Sequence, residues 1–514
     1  MKTSTTIPDV LLIQPPYPGP YNFWKSECLG MGYLAAALEK RGYVVHVLDA
    51  FLMEMDIETV LEHIRKTPPR LLLGFSMLSY ELYRTGDSIL RRLRAEGFNM
   101  HITVGSWFPT FWHRTMIEEG FAANSIVIGE GERSICALAD YLRTGSWGAD
   151  DSFLKREKIG TTLVLQQEVT LSDLDTLPPP RRDYLPEAIR RYHLATAYTA
   201  RGCGHNHCTF CSVPAFYKGG PKHRLRSAEN VVDEVENISR MGADFLFFVD
   251  EDFIGESPEG PKRALKIFEG IAEKGIPMRF TFNCRIRSVT KELFKPFADL
   301  GLAAVYVGME SNINRMLKLF AKGTSGDDIH RAVGILHDLG VKIVPGWIMF
   351  ERDTTLDEVE EQIKFLLDID TYHVNFLKPL YVMKDTPMEK MYGDELYHTF
   401  FDKKYYFKDP NVDLTVRILS NDYLPEVMPH TNNIYQIWHK LLAYGTGDHQ
   451  RRYDNINRKM KELSLNFTSE VIGRIRSHSL NGLVRTLSDH VQEWEKVSYE
   501  IESLAKCITQ QSQE

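Results

Sequence analysis

Short apolar runs alternate with amphipathic segments along the amino-terminal part of the chain. Strands are predicted at residues 10–13, 43–48, 71–75, 102–104 and 126–128. Helical spacing falls between them: Leu34, Ala37 and Leu38 share one face, and further helical patterns lie near Leu61, Leu90 and Met116 and after Glu132. Five strands that alternate with helices predict an α/β fold, with a doubly wound, Rossmann-like parallel sheet over residues 1–150.

A proline-rich stretch at residues 172–186 separates this part from a second alternating region. Because its prolines disfavour regular helix and strand, we predict a linker over residues 151–190. Beyond it, strands are predicted at 194–199, 245–249, 278–283, 304–307, 342–350 and 373–381, with helices at 228–241, 262–274, 291–300, 329–339 and 356–367. Six such units predict a partial (β/α)6 barrel over residues 191–383.

Helical spacing replaces the alternation beyond about residue 384. An apolar stripe recurs at i, i+3, i+4, i+7 and i+8, formed by Ile434, Ile437, Trp438, Leu441 and Leu442. A mainly helical carboxyl-terminal region over residues 384–514 is therefore predicted. We expect it to cover the mouth of the barrel and to contribute to the choice of substrate.

The composition is that of a globular protein, with 43% hydrophobic and 25% charged residues. A formal net charge of −8 argues against a general nucleic-acid binder. No apolar run reaches the roughly 18 residues that a membrane span needs, and residues 1–9 lack the apolar stretch of a signal peptide. A cytoplasmic protein that binds neither nucleic acid nor membrane is expected.

Three of the seven cysteines lie on one short segment, Cys203, Cys208 and Cys211, with the spacing C-x4-C-x2-C. An odd number of cysteines does not form a disulfide framework. Three thiolates could hold a 4Fe-4S cube and leave one iron without a protein ligand. The alternative is a zinc site completed by His205 or His207, although zinc sites usually gather two ligand pairs. The position of the segment just after the first barrel strand favours the iron-sulfur cluster.

This segment resembles the cluster loop of the radical S-adenosylmethionine (SAM) enzymes, which usually reads C-x3-C-x2-C with an aromatic residue before the last cysteine. Phe210 is that aromatic residue, while the first spacing is one residue longer than usual. Further motifs follow the predicted strands in the order expected of the family, at residues 249–253, 283–285, 308–311 and 345–348. The resemblance implies a 4Fe-4S cluster that reduces SAM to a 5'-deoxyadenosyl radical.

The same resemblance implies roles for individual residues. Phe210 would pack near the adenine of SAM, and Glu310 and Ser311 would bind its methionine or ribose groups. Arg285 would pair with its carboxylate, and Gly346 would let the adenine approach the backbone. An ordinary ion pair inside the barrel is the alternative use of Arg285 and Glu310. For a general acid or base, Tyr217, His223 and Tyr381 are the nearby candidates.

The amino-terminal domain resembles the cobalamin-binding module of cobalamin-dependent radical SAM enzymes, through residues 12–17, 32–36, 74–76 and 129–132. The resemblance implies cobalamin contacts from Gly74, Phe75, Ser76, Met77, Gly105, Trp107, Gly129 and Glu130. Small residues after the third and fourth strands would let a flat macrocycle approach the backbone. A D-x-H-x-x-G motif is absent from residues 1–150. Met77, Leu78 and Trp107 are therefore the candidates to face the cobalt, unless cobalamin has been lost altogether.

Together these features predict a cobalamin-dependent radical SAM enzyme that methylates an unactivated carbon or phosphorus of a small metabolite. An external one-electron reductant such as flavodoxin or ferredoxin is implied. Two alternatives stay open: a cyclisation, rearrangement or ring contraction that uses the same cofactors, and a zinc-bearing binding protein.

Overall fold

A computed structural model describes residues 7–19, 25–372, 376–399, 402–444 and 447–511. The amino-terminal sheet has seven strands in the order β2-β1-β3-β4-β5-β7-β6. They are β1 (Val10–Gln14), β2 (Val45–Asp49), β3 (Leu72–Ser76), β4 (His101–Gly105), β5 (Ser125–Ile128), β6 (Leu154–Ile159) and β7 (Thr162–Gln167). The first five are mutually parallel, which confirms the predicted doubly wound sheet.

Five helices cover the two faces of this sheet: α1 (Leu29–Lys40), α2 (Ile57–Lys66), α3 (Tyr80–Ala95), α4 (Trp107–Glu118) and α5 (Glu132–Thr144). Successive residues of β1 point to opposite faces, so Val10 and Leu12 join one core and Leu11 and Ile13 join the other. In the sheet, β2 lies on one side of β1, whereas β3, β4 and β5 follow on the other side. The strand order therefore reverses between β1 and β3. In open sheets of this kind, ligands bind beyond the carboxyl ends of the strands at such a point.

The sheet extends further along the chain than predicted, because β6 and β7 lie inside the segment assigned to the linker. They form an antiparallel hairpin, and β7 pairs in parallel with β5. The exposed, charged run of β6 around Lys155 suits an edge strand and hides its strand character in the sequence. The proline-rich stretch that follows contains one short 3-10 turn, Leu174–Thr176, before α6 (Leu185–Tyr192) begins.

The second domain is built on a five-stranded parallel sheet in the order β14-β13-β12-β11-β8. The strands of this sheet are β8 (Ala195–Ala197), β11 (Phe245–Phe248), β12 (Arg279–Arg285), β13 (Leu302–Glu310) and β14 (Lys342–Trp347). A separate antiparallel hairpin is formed by β9 (Ala200–Gly202) and β10 (His223–Leu225). Its helices are α7 (Val213–Phe216), α8 (Ala228–Arg240), α9 (Glu259–Glu273), α10 (Lys291–Asp299), α11 (Asn314–Leu319), α12 (Gly326–Asp338) and α13 (Leu356–Asp368).

The sixth predicted barrel strand, at residues 373–381, is described only in part. Residues 373–375 lie outside the described ranges, and beyond them a single parallel bridge joins Phe350 to Pro379. The five regular strands and this bridge agree with a partial barrel. Its core includes stacked phenylalanines, with Phe253 and Phe282 4.6 Å apart at their ring centroids.

The carboxyl-terminal region is mainly helical, as predicted. It comprises α14 (Pro387–Tyr392), a hairpin of β15 (Leu396–Thr399) and β16 (Asp402–Tyr405), α15 (Pro410–Ile418), α16 (Leu424–Tyr444), α17 (Gly447–Arg476) and α18 (Leu483–Gln511). Ile437, Trp438 and Leu441 of the predicted stripe are buried, whereas the side chains of Ile434 and Leu442 lie outside the described part. Trp438 packs edge-on against Tyr306 of β13, so α16 closes on the barrel. None of the helices in the described ranges is long and apolar enough to cross a bilayer.

Candidate functional site

The three clustered cysteines lie on the loop that joins β9 to β10. These strands form an antiparallel pair in which Gly202 lies opposite His223 and Arg201 lies opposite Arg224. Gly202 has a φ of +83°, and a side chain there would collide with the carbonyl oxygen of Lys222. The hairpin therefore returns the chain on itself and projects the cysteine loop from the carboxyl end of β8.

All three thiols are partly exposed and close enough to influence one another's ionisation. Burial raises the pKa of each thiol, that of Cys211 to about 12, and the Lys322 ammonium opposes the rise at Cys208 and Cys211. Three thiols on one loop with a cation beside them are a donor set that suits an anionic iron-sulfur cluster.

The placement of the side chains does not by itself choose between an iron-sulfur cluster and zinc. In the described ranges, no group of three or more His, Cys, Asp or Glu side chains, the three cysteines included, is arranged to hold a metal ion. His205 is engaged elsewhere: its Nε2 lies 2.9 Å from the carbonyl oxygen of Ala321, and its Nδ1 lies 3.3 Å from Glu256. His207 contacts His205 edge-on at 5.5 Å.

Glu310 ends β13 beside the cysteine loop, in a left-handed backbone conformation with a φ of +67°. Its Oε1 accepts a hydrogen bond of 2.7 Å from Nζ of Lys322, and both side chains are buried. The neighbouring strand brings Gly346 against the same carboxylate, since a Cβ on Gly346 would lie 3.5 Å from Oε2 of Glu310. The backbone strain at Glu310 marks a position that the surrounding structure holds in place.

Arg285 ends β12 and is also buried. It forms an ion pair with Glu256 and donates a hydrogen bond of 3.4 Å to the carbonyl oxygen of Lys322. Its Nε has no hydrogen-bond partner within the described part of the chain. A buried guanidinium with an unused donor suits a carboxylate ligand.

The structure separates Ser311 from this group and leaves Phe210 at its margin. Ser311 is fully buried; its Oγ accepts from the amide of Ile313 and donates to Oε1 of Gln362 at 3.3 Å. The hydroxyl is therefore used in packing, and the predicted SAM contact has no geometric support. Phe210 is half-buried and packs edge-on against Phe320 at 5.4 Å.

A cavity of about 670 Å³ opens at the carboxyl ends of the amino-terminal strands. Seven of the eight predicted cobalamin contacts line it: Gly74, Phe75, Ser76, Gly105, Trp107, Gly129 and Glu130. The second domain supplies the facing wall, formed by Thr196, Tyr198, Arg201, Phe216, Tyr217, Val249 and Tyr306. The ring of Trp107 stacks on that of Phe216 at 4.3 Å and joins the two walls.

Met77, the eighth predicted contact, lies outside this lining. Its side chain is fully buried and packs against Gly86 of α3, while its amide donates to the carbonyl oxygen of Gly105. Just beyond the end of β3, the chain thus turns Met77 into the core, while the next residue, Leu78, lines the cavity. Leu78 is 53% exposed.

Two buried polar atoms in the cavity wall have no hydrogen-bond partner among the described residues: Oε1 of Gln14 and Oγ1 of Thr196. Buried polar groups in proteins are nearly always satisfied. A large ligand with both apolar and amide surface, such as cobalamin, suits a wall of glycines, aromatic rings and such unsatisfied atoms.

The three candidate acid–base residues occupy different surroundings. Tyr217 lines the cavity and donates a hydrogen bond of 3.1 Å to Oε1 of Glu251. His223 lies 3.1 Å from the carbonyl oxygen of Asp252, and burial followed by the charge of Arg263 lowers its pKa to about 4. Tyr381 is 44% exposed and is not part of the cavity wall.

Glu251 is a site residue that was not predicted from the sequence. Its Oε2 accepts from the amide of Gly202 at 3.2 Å, next to the cysteine loop, and its Oε1 accepts from Tyr217. Burial raises its pKa to about 7, with a further contribution from Asp250. The acidic run after β11 was its signal in the sequence.

Comparisons with known proteins agree with this division of the chain. The model of the B12 binding domain matches residues 26–139, and that of the radical SAM superfamily matches residues 198–366. The 4'-phospho-dehydrooxetanocin synthase of Priestia megaterium is 26% identical over 73% of this chain, a match that spans only 51% of the synthase. An uncharacterized methyltransferase of Pyrococcus horikoshii is 25% identical over 68% of this chain and 74% of its own length.

Among solved structures, the cobalamin-dependent radical SAM enzyme OxsB, with aqua-cobalamin and SAM bound, superposes with a TM-score of 0.71. The similarity covers 97% of this chain and 80% of OxsB at 19% identity, so it shows a shared fold. The fold and the two family matches define a radical SAM enzyme that carries a B12-binding domain. The radical SAM match implies a 4Fe-4S cluster and SAM as cofactors, and the B12-binding match implies cobalamin.

Proposed function

We propose that this enzyme transfers a methyl group to an unactivated carbon or phosphorus atom of a small metabolite. The observation that carries the proposal is the large cavity, which the strand ends of the B12-binding domain and the interior of the radical SAM domain line together. A ligand in this cavity would lie against the barrel rather than on a separate surface. Proximity of this kind is what transfer between two cofactors and a substrate needs.

Cys203, Cys208 and Cys211 would hold the cluster and leave one iron open. Arg285 would bind the SAM carboxylate through its unused Nε, and Glu310, fixed by Lys322, would accept hydrogen bonds from polar groups of SAM. When bound, these cofactors supply a 5'-deoxyadenosyl radical and a transferable methyl group.

The cavity would hold cobalamin without a histidine ligand. No histidine belongs to the cavity lining in the described part of the chain, and Leu78 and Trp107 present apolar surface there. These two side chains would place apolar surface against a bound cobalamin and would exclude water from that side of the cavity. Of the three candidates to face the cobalt, this proposal keeps Leu78 and Trp107 and drops Met77, which lies outside the cavity lining.

Tyr217 and Glu251 would handle protons at this site. The Tyr217 hydroxyl faces the cavity, and the carboxyl behind it, with a pKa of about 7, can accept or return a proton near neutral pH. The carboxyl-terminal helices, which reach the barrel through Trp438, would help to select the substrate.

Cyclisation, rearrangement or ring contraction is the second candidate reaction. The similarity to a protein named as a synthase favours keeping it beside methyl transfer. Both reactions would use the same cofactor sites, and both would take electrons from an external donor such as flavodoxin or ferredoxin.

The test is anaerobic reconstitution with iron and sulfide, followed by incubation with hydroxocobalamin, trideuteromethyl-labelled SAM and titanium(III) citrate. We expect cluster absorbance, 5'-deoxyadenosine, S-adenosylhomocysteine and labelled methylcobalamin. Formation of 5'-deoxyadenosine without labelled methylcobalamin would favour the second candidate reaction. Absence of both would contradict radical chemistry altogether.

A further inference from the structure

Glu130 lines the large cavity, but arginines already bind its carboxylate. Oε1 lies 2.5 Å from Nη1 of Arg201, and Oε2 lies 2.9 Å from Nη1 of Arg224. All three side chains are buried. The carboxylate therefore acts within the protein, which differs from the cobalamin contact implied by the sequence resemblance.

Both arginines belong to the hairpin that carries the cysteine loop. Arg201 lies in β9 and Arg224 lies opposite it in β10. Arg201 is two residues before Cys203, so one carboxylate of the B12-binding domain ties down both strands from which the loop emerges. Glu130 itself follows β5 in the wall of the cavity, and its carbonyl accepts a hydrogen bond of 3.3 Å from Nε2 of Gln167.

Two further contacts support this arrangement. Glu132 binds the second nitrogen of the Arg201 guanidinium at 2.5 Å, and Arg224 donates to the carbonyl oxygen of Leu171 at 2.8 Å. Buried ion pairs add little net stability, because both charges must leave water. They do impose one geometry, since a buried charge without its partner is strongly disfavoured.

We propose that Glu130 is a positioning residue that fixes the cysteine loop against the wall of the cavity through Arg201 and Arg224. This inference rests on the proposed function only in its purpose, which is to hold the cluster at a set distance from cobalamin. The contact itself can be tested without either cofactor.

A matched control exists in the same interface. Glu234 of α8 is also buried and is also bound by two arginines. Arg182 lies outside the hairpin, and Arg226 lies one residue beyond β10, farther along the strands from the cysteine loop than Arg201 and Arg224. Glu130→Gln and Glu234→Gln thus remove the same charge from the same kind of site. Glu130→Gln is expected to fold, because Glu132 still pairs with Arg201.

The experiment is hydrogen–deuterium exchange on the full-length protein before reconstitution, with and without hydroxocobalamin. We expect exchange in residues 203–222 to rise about tenfold in Glu130→Gln and to stay near the wild-type rate in Glu234→Gln. Hydroxocobalamin should slow exchange of this loop in the wild type and in Glu234→Gln, whereas in Glu130→Gln it should bind without protecting the loop.

Equal exchange in residues 203–222 for Glu130→Gln and wild type would overturn the inference, as would an equal rise in both variants. If the wild-type protein does not bind hydroxocobalamin, the proposed function fails, and the comparison without cobalamin still decides the role of Glu130. In reconstituted protein, an altered electron paramagnetic resonance spectrum of the reduced cluster in Glu130→Gln alone would separate positioning from a general loss of stability.

Discussion

The two cofactor regions of this enzyme are built in different ways. The large cavity is formed by strand ends, glycines and aromatic rings, and the fold of the sheet creates it. The mouth of the barrel depends instead on the one loop that carries the three thiols and on the buried charges of Lys322, Glu310 and Arg285 beside it. The cavity should therefore tolerate most single substitutions that do not fill it, while the barrel mouth should fail when one side chain is lost.

The largest expected effect is at the cysteine loop. Cys208→Ser removes one of three proposed cluster ligands, so 5'-deoxyadenosine formation should fall by more than about 100-fold, with loss of iron from the reconstituted protein. Cys507→Ser is the control, because Cys507 is also partly exposed but lies on α18 beside Arg452. Hydroxocobalamin binding should be unchanged in both variants. A Cys208→Ser protein with a full iron content would contradict the assignment.

The cavity should respond to filling. Ser76 ends β3 in the cavity wall, so Ser76→Trp would occupy space proposed for cobalamin. We expect hydroxocobalamin affinity to fall by about 100-fold, measured by absorbance titration. Ser146→Trp places the same side chain on an exposed residue outside the wall and should bind normally. Unchanged affinity in Ser76→Trp would show that cobalamin does not occupy this cavity.

The sequence predicted the architecture because hydrophobic periodicity is local. The first five of the seven strands of the amino-terminal sheet lie where apolar runs were found, and the cysteine spacing identified the loop. Met77 and Leu78 lie beyond the end of β3, so the strand pattern could not decide which of these two candidates faces the cavity. The edge hairpin of β6 and β7 was missed because its charged residues obscure the strand pattern.

Contacts between distant parts of the chain could not be predicted in this way. The partners of Glu130 are Arg201 and Arg224, 71 and 94 residues away, and no periodic pattern connects them. The acidic run after β11 marked Glu251 but not its role, since burial, the main cause of its raised pKa, and its hydrogen bond with Tyr217 both arise from tertiary packing. Sequence patterns thus locate the strand ends, and tertiary packing decides which side chain acts there.

A smaller effect is expected for the charged pair beside the cysteines. Lys322→Met would leave the buried carboxylate of Glu310 without its cation, which should lower the free energy of unfolding by about 3 kcal/mol. Urea denaturation would measure this. Lys295→Met removes an exposed lysine paired with Asp299 on α10 and should cost less than about 0.5 kcal/mol. Equal stability of the two variants would show that the barrel mouth does not depend on this pair.

The smallest expected effect concerns the pH dependence of stability at the boundary between the two regions. The folded protein raises the pKa of Glu251 from 4.5 to about 7, so between these values the folded state binds a proton that the unfolded state has released. Wild-type stability should therefore fall as the pH rises through this range, and Glu251→Gln should abolish that loss. We expect Glu251→Gln to be more stable than wild type at pH 8, and this difference in the free energy of unfolding should shrink as the pH falls towards 4.5. Urea unfolding across this range is the measurement. Curves that stay parallel at every pH would mean that Glu251 is ionised in the folded protein and cannot exchange a proton with Tyr217 near neutrality.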